Sequence, residues 1–310
     1  MSQPARLEDL LDENRWLREQ LDAKAKVAAR ALAAQQRRVL EVEESAAELS
    51  QVNEKLARAL QILEEKDRRL SEDLAQARAF QQRILPSLPV THALRIEAAY
   101  RPAEVVGGDL YDVCRVTGGR VRVFVADCIG HGVQAALRTM ILKTEWDRVR
   151  DAATPVRALL ELNRRLVAAY PGLELQCTAA CFDVTAAGPD DPRGHVAYAT
   201  AAHPPLVVAA RSGQTRQVYQ PSPFLGVLGD IELAPVYFDL SRGDRLFMFS
   251  DGLVEETRGD EEFGIERVLA ELSRRAPLRE TLEAAVGALE AFAHGAPLTD
   301  DVTIVGVELP

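Results

Sequence analysis

Between Leu7 and Ile84 the chain contains neither glycine nor proline, and the stretch is dense in Ala, Leu, Glu, Gln, Lys and Arg. These residues lose least on entering a helix, so a single long helix is the natural reading. Apolar side chains recur in one seven-residue column, occupied by Leu7, Leu21, Ala28, Val42, Leu49, Leu56, Leu63, Leu70, Ala77 and Ile84. A stripe of that period is a coiled-coil seam.

The second column of the seam is filled three residues downstream early on, by Leu10, Leu17, Ala31 and Val52, and four residues downstream later, by Leu60 and Leu74. The register therefore changes between about residues 52 and 60, as at a stutter or stammer. Asn14 falls in the first column, where a buried amide fixes register and favours a parallel pair, so a parallel homodimer is expected. Lys24, Gln35 and Arg38 interrupt the seam. A helix folded back on the rest of the chain is the alternative, and light scattering on residues 1–85 separates the two.

Pro86 and Pro89 forbid continuation of the helix. The expected division is a coiled-coil dimerisation and regulatory helix over 1–85 and a globular domain over 86–310. Strand patterns follow at 94–101, 109–116, 120–127, 174–186, 195–201, 205–210, 234–240, 244–250 and 302–309, with helices from the Gly130-His131-Gly132 turn to about Arg150, 155–170, 264–275 and 278–293. Strands that come in adjacent, hairpin-connected runs predict an antiparallel α+β fold, not a doubly wound one.

The composition narrows the partners. A formal net charge of −10 argues against a nucleic-acid footprint, which carries a basic stripe. No apolar run approaches the roughly 20 residues that cross a bilayer, and the N-terminus lacks a signal peptide's blocks, so a cytoplasmic location without membrane contact is expected. Cys114, Cys128, Cys177 and Cys181 lack the paired spacing of a zinc site and read as reduced thiols.

The chemistry lies in four aspartates at strand ends: Asp109, Asp127, Asp251 and Asp300. A three-residue loop, Thr117-Gly118-Gly119, closes Val116 against Arg120, and that pairing sets Asp109 directly opposite Asp127 on one sheet face. Like charges in that position destabilise a sheet unless a cation sits between them. Hard carboxylate oxygens drawn from separate strands suit Mg²⁺ or Mn²⁺, so a metal-dependent hydrolase is expected.

The motifs VGGDLYD, ADCIGHGVQAAL, AHPPLVV, PFLGVL, GDRLFMFSDGLVEE, FG and TDDVTIV, in that order, resemble the PPM-type metal-dependent serine/threonine protein phosphatases in their bacterial SpoIIE/RsbU-like branch. The resemblance runs from about Arg83 to Pro310, and QQRILPSLP resembles the segment joining such domains to an upstream helix. It implies an antiparallel β-sandwich with helices outside it, in α-β-β-α layers, and a site for two Mn²⁺ or Mg²⁺ ions. By that likeness Asp127 bridges both ions with help from the Cys128 backbone carbonyl, Asp251 and Asp300 hold one, Asp109 supports the other, and Asp301, Gly108 and His131 stand behind these ligands. Two ions about 3.5–4 Å apart would activate water for in-line attack without a phosphoenzyme. Two positions depart from the family pattern: Ile129 stands where serine or glycine is common, and Thr200-Ala201-Ala202-His203 replaces Asn-Ala-Gly-His. His131 and His203 read first as structural residues, and Arg101, Arg115 and Arg138 are the candidates for holding phosphate.

The expected activity is that of a phosphoserine/phosphothreonine phosphatase. By analogy its substrate is a phosphorylated STAS-type anti-anti-sigma factor in a partner-switching pathway, with an upstream activator on the coiled coil. The rival is a catalytically silent scaffold of the same fold that binds a regulatory partner; a metal-dependent nuclease fits the acidic charge poorly. Two registers of near-equal energy in the rod could bias two orientations of the helix around Phe80 to Ile84 and so assemble or disassemble the metal site.

Overall fold

The computed structural model describes residues 3–89, 93–186 and 191–310, and side chains from residue 9 onward. The elements run α1 (Gln3–Ile84), β1 (Arg95–Arg101), β2 (Asp109–Val116), β3 (Arg120–Cys128), α2 (Gly132–Val149), α3 (Pro155–Ala169), β4 (Cys177–Thr185), β5 (Gly194–Ala201), β6 (Leu206–Ala209), β7 (Thr215–Val218), β8 (Val236–Leu240), β9 (Arg245–Phe249), β10 (Thr257–Arg258), β11 (Glu261–Glu262), α4 (Gly264–Leu272), α5 (Leu278–Phe292) and β12 (Val302–Glu308). The chain divides into two units, Met1–Glu72 and Asp73–Pro310. In the first, the seam residues Leu21, Val42, Leu49, Leu56, Leu63 and Leu70 are all exposed. Ion pairs of helical spacing, such as Arg68 with Glu65 and Glu72, line its surface.

In the second unit the strands form two five-stranded antiparallel sheets, ordered β2-β3-β4-β5-β8 and β1-β12-β9-β6-β7, with β10 and β11 as a separate hairpin. The inner faces of both sheets meet in one apolar layer built from Val113, Val123, Val125, Phe182, Tyr198, Leu246, Met248, Val305 and Val307. The outer face of the first sheet packs on α2 and α3, where Phe124 stacks on Trp146 with ring centroids 3.8 Å apart. The outer face of the second packs Phe247, Phe249 and Ile304 on α4 and α5. This is the expected α-β-β-α layering. Alternation along β3 explains it: Val121, Val123 and Val125 face inward, while Phe124 and Ala126 face the helices.

Several element ends differ from the sequence pattern. The strand expected from residue 174 starts at Cys177, because Gly172 (φ 83°) and the Leu175 N–H bond to the Leu173 carbonyl (2.8 Å) turn the chain first. Pro205 and Pro235 delay β6 and β8 to Leu206 and Val236, as a residue without a donor N–H does. The short strands β7, β10 and β11 carry no alternation long enough to read.

Candidate metal centre

The site forms where the two sheets bring their strand ends together. In the first sheet Asp109 opens β2 and Asp127 lies one residue from the end of β3, and the register pairs them directly. The Cys128 N–H donates to the Gly108 carbonyl (3.1 Å), so the neighbouring Asp109/Asp127 rung is a non-hydrogen-bonded one, in which side chains lie closest. In the second sheet, neighbours β9 and β12 deliver Asp251, just past Phe249, and Asp300, just before Val302.

Hydroxyls and one buried carboxylate fasten the halves together. Ser250 Oγ and Thr303 Oγ1, from the second sheet, both donate to Asp109 Oδ2 (2.7 and 2.6 Å). Asp301 reaches the other way, its Oδ2 accepting from the Gly108 N–H (2.5 Å) and its Oδ1 from the Ala103 N–H (2.8 Å). Two glycines permit this closeness: a Cβ on Gly252 would lie 2.2 Å from the Asp301 carbonyl oxygen, and one on Gly108 would lie 2.9 Å from the Cys128 carbonyl oxygen.

Burial and crowding raise four of the carboxyls gathered here, Asp109, Asp127, Asp251 and Asp301. Burial, then the charges of Asp109, Asp251 and Asp300, lift Asp127 to about 10. Burial, then Asp300 and Glu255, lift Asp251 to about 6. Asp109 rises well above the usual carboxylate range through burial and Asp301, against the pull of its two hydroxyl donors. Asp301 is raised by burial despite its backbone partners.

Among the described residues no three His, Cys, Asp or Glu side chains close around a common point. The donor set still fits a hard divalent cation, and two observations say so: Asp109 Oδ1 and Asp251 Oδ1 are buried without any hydrogen-bond partner, and the charges acting on Asp127 are led by three carboxylates. An open cleft of about 440 Å³, lined by His203, Gln217, Tyr219, Val254 and Glu255, reaches Asp251 from solvent.

The remaining expected residues separate. His131 precedes α2 with its side chain 80% exposed, and its Nδ1 hydrogen-bonds Glu104 (2.7 Å). His203 is buried, shares a hydrogen bond with Thr178 (2.8 Å), and is lowered to about 3 by burial, so it stays neutral. Thr178 is the β4 partner of Asp127, which places His203 behind the site as a support. Arg101 pairs with Glu283, Arg138 donates to the Ile129 carbonyl (2.5 Å) in the loop after Asp127, and Arg115 lies toward the far end of β2. Sequence reasoning missed Gln81. Its buried amide grips Gly107 at both ends, Nε2 donating to the carbonyl (2.6 Å) and Oε1 accepting from the N–H (3.0 Å). A lone glutamine in a helix rich in polar residues gives no signal of this. It also missed Glu255, which the acidic end of DGLVEE could have suggested.

The fold is that of solved PP2C phosphatase domains. A solved structure of the SiaA PP2C domain of Pseudomonas aeruginosa superposes with a TM-score of 0.68, covering 79% of this chain and 98% of that one at 24% identity. The PP2C phosphatase domain of SpoIIE from Bacillus subtilis, solved with a fragment of its regulatory domain, gives 0.58 over 71% of this chain and 64% of that one at 17% identity. Within that class the chain belongs to the stage II sporulation protein E (SpoIIE) family, whose model matches residues 117–310. Among sequence relatives, the phosphoserine phosphatase RsbP of Bacillus subtilis is 28% identical over 189 residues, covering 60% of this chain. The match spans 46% of RsbP's own length.

Proposed function

We propose that residues 86–310 form a metal-dependent phosphoserine/phosphothreonine protein phosphatase that works with two Mn²⁺ or Mg²⁺ ions. The observation that carries the reading is the meeting of Asp109 and Asp127 from one sheet with Asp251 and Asp300 from the other, where burial and neighbouring carboxylates raise Asp109, Asp127 and Asp251 and one oxygen each of Asp109 and Asp251 lacks a partner. Membership of the SpoIIE family and the likeness to RsbP support the substrate class.

Asp127, the Cys128 carbonyl, Asp109, Asp251 and Asp300 would hold the ions. When bound, divalent cations supply a water-derived nucleophile at neutral pH and neutralise phosphoryl charge. The chain's own residues do the positioning. Ser250 and Thr303 fix Asp109 through one oxygen and leave the other free, and Asp301 pins the Gly108 turn that leads into it. The cleft beside Asp251 gives a phosphorylated side chain its approach.

The substrate proposed is a phosphorylated STAS-type anti-anti-sigma protein, and the chain is proposed to act as a homodimer through a parallel coiled coil that an upstream activator can engage. The exposed seam of α1 supports pairing. Gln81 supports transmission, since any rotation of the end of α1 acts on Gly107, two residues from Asp109. Leu17→Asn and Leu60→Asn are then expected to shift turnover in different directions.

The deciding experiment is Mn²⁺-dependent hydrolysis of p-nitrophenyl phosphate and of a phosphoserine peptide by the full chain. Turnover should vanish in Asp251→Ala. A folded wild-type protein that turns over neither substrate with any divalent ion would overturn the reading in favour of a silent scaffold.

A further inference from the structure

Cys128 and Cys177 end β3 and begin β4, and the register sets them directly opposite each other. The backbone of each turns away from the other: the Cys128 N–H donates to the Gly108 carbonyl (3.1 Å), and Cys177 exchanges both backbone bonds with Leu225 (3.2 and 3.0 Å). The two cysteines therefore occupy a non-hydrogen-bonded rung, where Cα atoms of antiparallel strands approach to roughly 4.5 Å. Both side chains are buried on the helix-covered face, where the neighbouring Cys128 and burial hold the Cys177 thiol well above its ordinary range. Disulfides bridge Cα separations of about 4.4–6.8 Å, so this rung sits at the short end of the range that a disulfide can span.

We propose that Cys128 and Cys177 form a dithiol that peroxide converts to a reversible cross-strand disulfide, and that the bond loosens cation binding at the adjoining carboxylates. The second half rests on the metal-site reading above. In the step, the strand end opens to water and one cysteine, as its thiolate, attacks hydrogen peroxide, breaking the O–O bond to give a sulfenic acid and a hydroxide that takes up the thiol's proton as water. The second thiol then displaces the hydroxyl as a second water, closing the Sγ–Sγ bond. Two protons and two electrons leave the thiols and reduce one peroxide to two waters.

The location supplies both access and effect. The closed pair is buried, but it is the last named rung of the β3–β4 ladder, and beyond it a single backbone bond from the Ile129 N–H to the Gln176 carbonyl (3.2 Å) leads into loops on both sides. Strand ends of this kind open locally far more often than ladder centres. An open cleft of about 660 Å³ lined by Leu137, Met140, Ile141 and Leu175 runs up to the segment two residues before Cys177. Closing the disulfide from the short end of its range presses the two strand ends apart. The displaced strand end carries Asp127 and the Cys128 carbonyl. The other two thiols offer no such pair, because Cys114 on β2 and Cys181 on β4 are separated by β3.

The test treats the full chain with hydrogen peroxide, maps peptides without reduction, and follows Mn²⁺-induced thermal stabilisation. A Cys128–Cys177 crosslink is expected, with loss of two hydrogens, an apparent Mn²⁺ affinity at least about tenfold weaker, and recovery of both on adding dithiothreitol; disturbing the groups that orient a metal's ligands has effects of this size. In Cys177→Ser, or in Cys177→Ala should the serine not fold, peroxide should leave the Mn²⁺ response unchanged. Thiols that oxidise without this crosslink, or resist peroxide, overturn the disulfide. A crosslink that leaves Mn²⁺ affinity unaltered overturns its effect on the site. A reduced protein that ignores Mn²⁺ refutes the metal reading instead, while peptide mapping still decides the disulfide.

Discussion

The first sheet buries carboxylates at both ends and treats them in opposite ways. Near the Thr117-Gly118-Gly119 turn, Asp183 receives Arg122 through two hydrogen bonds (2.6 and 2.8 Å) and Arg120 through a third (2.9 Å). Asp112, further along β2, accepts from Trp146 (2.8 Å) and Arg150 (3.3 Å). On the covering helix, burial pushes Glu145 up, but hydrogen bonds from Tyr170 and Arg165 outweigh it and leave the group below its ordinary value. At the opposite end Asp109 and Asp127 face each other, and Asp127 is driven to about 10. At Asp183, Asp112 and Glu145 the fold supplies the cation from its own sequence. Where it does not, the missing charge marks a place for a ligand.

The contrast can be broken most severely at Asp127. Asp127→Asn should abolish Mn²⁺-dependent turnover while raising the melting temperature measured in EDTA, because it removes a repelling charge; a lower melting temperature there would mean the cluster is structural after all. Asp183→Asn should do the reverse, leaving the metal response intact but destabilising the fold by about 3–5 kcal/mol through an uncompensated buried Arg122. Chemical denaturation in Mn²⁺ measures it, and a cost no greater than a surface substitution's would erase the difference between the two ends.

A smaller effect should appear with pH. Folding raises Asp127 from an ordinary 3.8 to about 10 and Asp251 from 3.8 to about 6, so the folded state binds protons more tightly than the unfolded one. The associated stability is fully present below about 4 and is lost as pH climbs toward 6 for Asp251 and toward 10 for Asp127. Melting in EDTA should fall between pH 5 and 8, more steeply in the wild type than in Asp127→Asn. Mn²⁺ in hundredfold excess over its dissociation constant should restore about 2.7 kcal/mol. A slope identical in both proteins would remove Asp127 from the account.

The smallest effect concerns the loop behind the site. Ala202 adopts φ 52°, a left-handed conformation that costs an L-residue roughly 1–2 kcal/mol, and it stands where the Asn-Ala-Gly-His pattern has glycine. Ala202→Gly should therefore stabilise the protein by about 1 kcal/mol with turnover preserved. Unchanged or lower stability would show that neighbouring contacts already relieve the strain.

What the sequence made legible follows from the range of the interactions. The Asp109/Asp127 pairing could be read because a three-residue turn fixes register locally, and the carboxylates could be read because each sits at the end of its own strand, with glycines close to Asp109, Asp127 and Asp251. The substitution at Ala202 was visible as a departure from a pattern, though its φ was not. The hydroxyls of Ser250 and Thr303 on Asp109, and the grip of Gln81 on Gly107, join residues far apart in the chain. They depend on how two sheets and a helix end dock, and no local periodicity encodes that. The short strands β7, β10 and β11 escaped because two to four residues carry too little alternation to distinguish from loop.

Because β2 and β3 belong to one leaf of the sandwich and β9 and β12 to the other, neither leaf alone holds the full set of acids. An ion seated between them would act as a rivet, gripping only when the book is shut. Occupancy would therefore report tertiary closure rather than secondary structure, and a collapsed chain with its strands formed but its leaves unmated would remain blind to manganese.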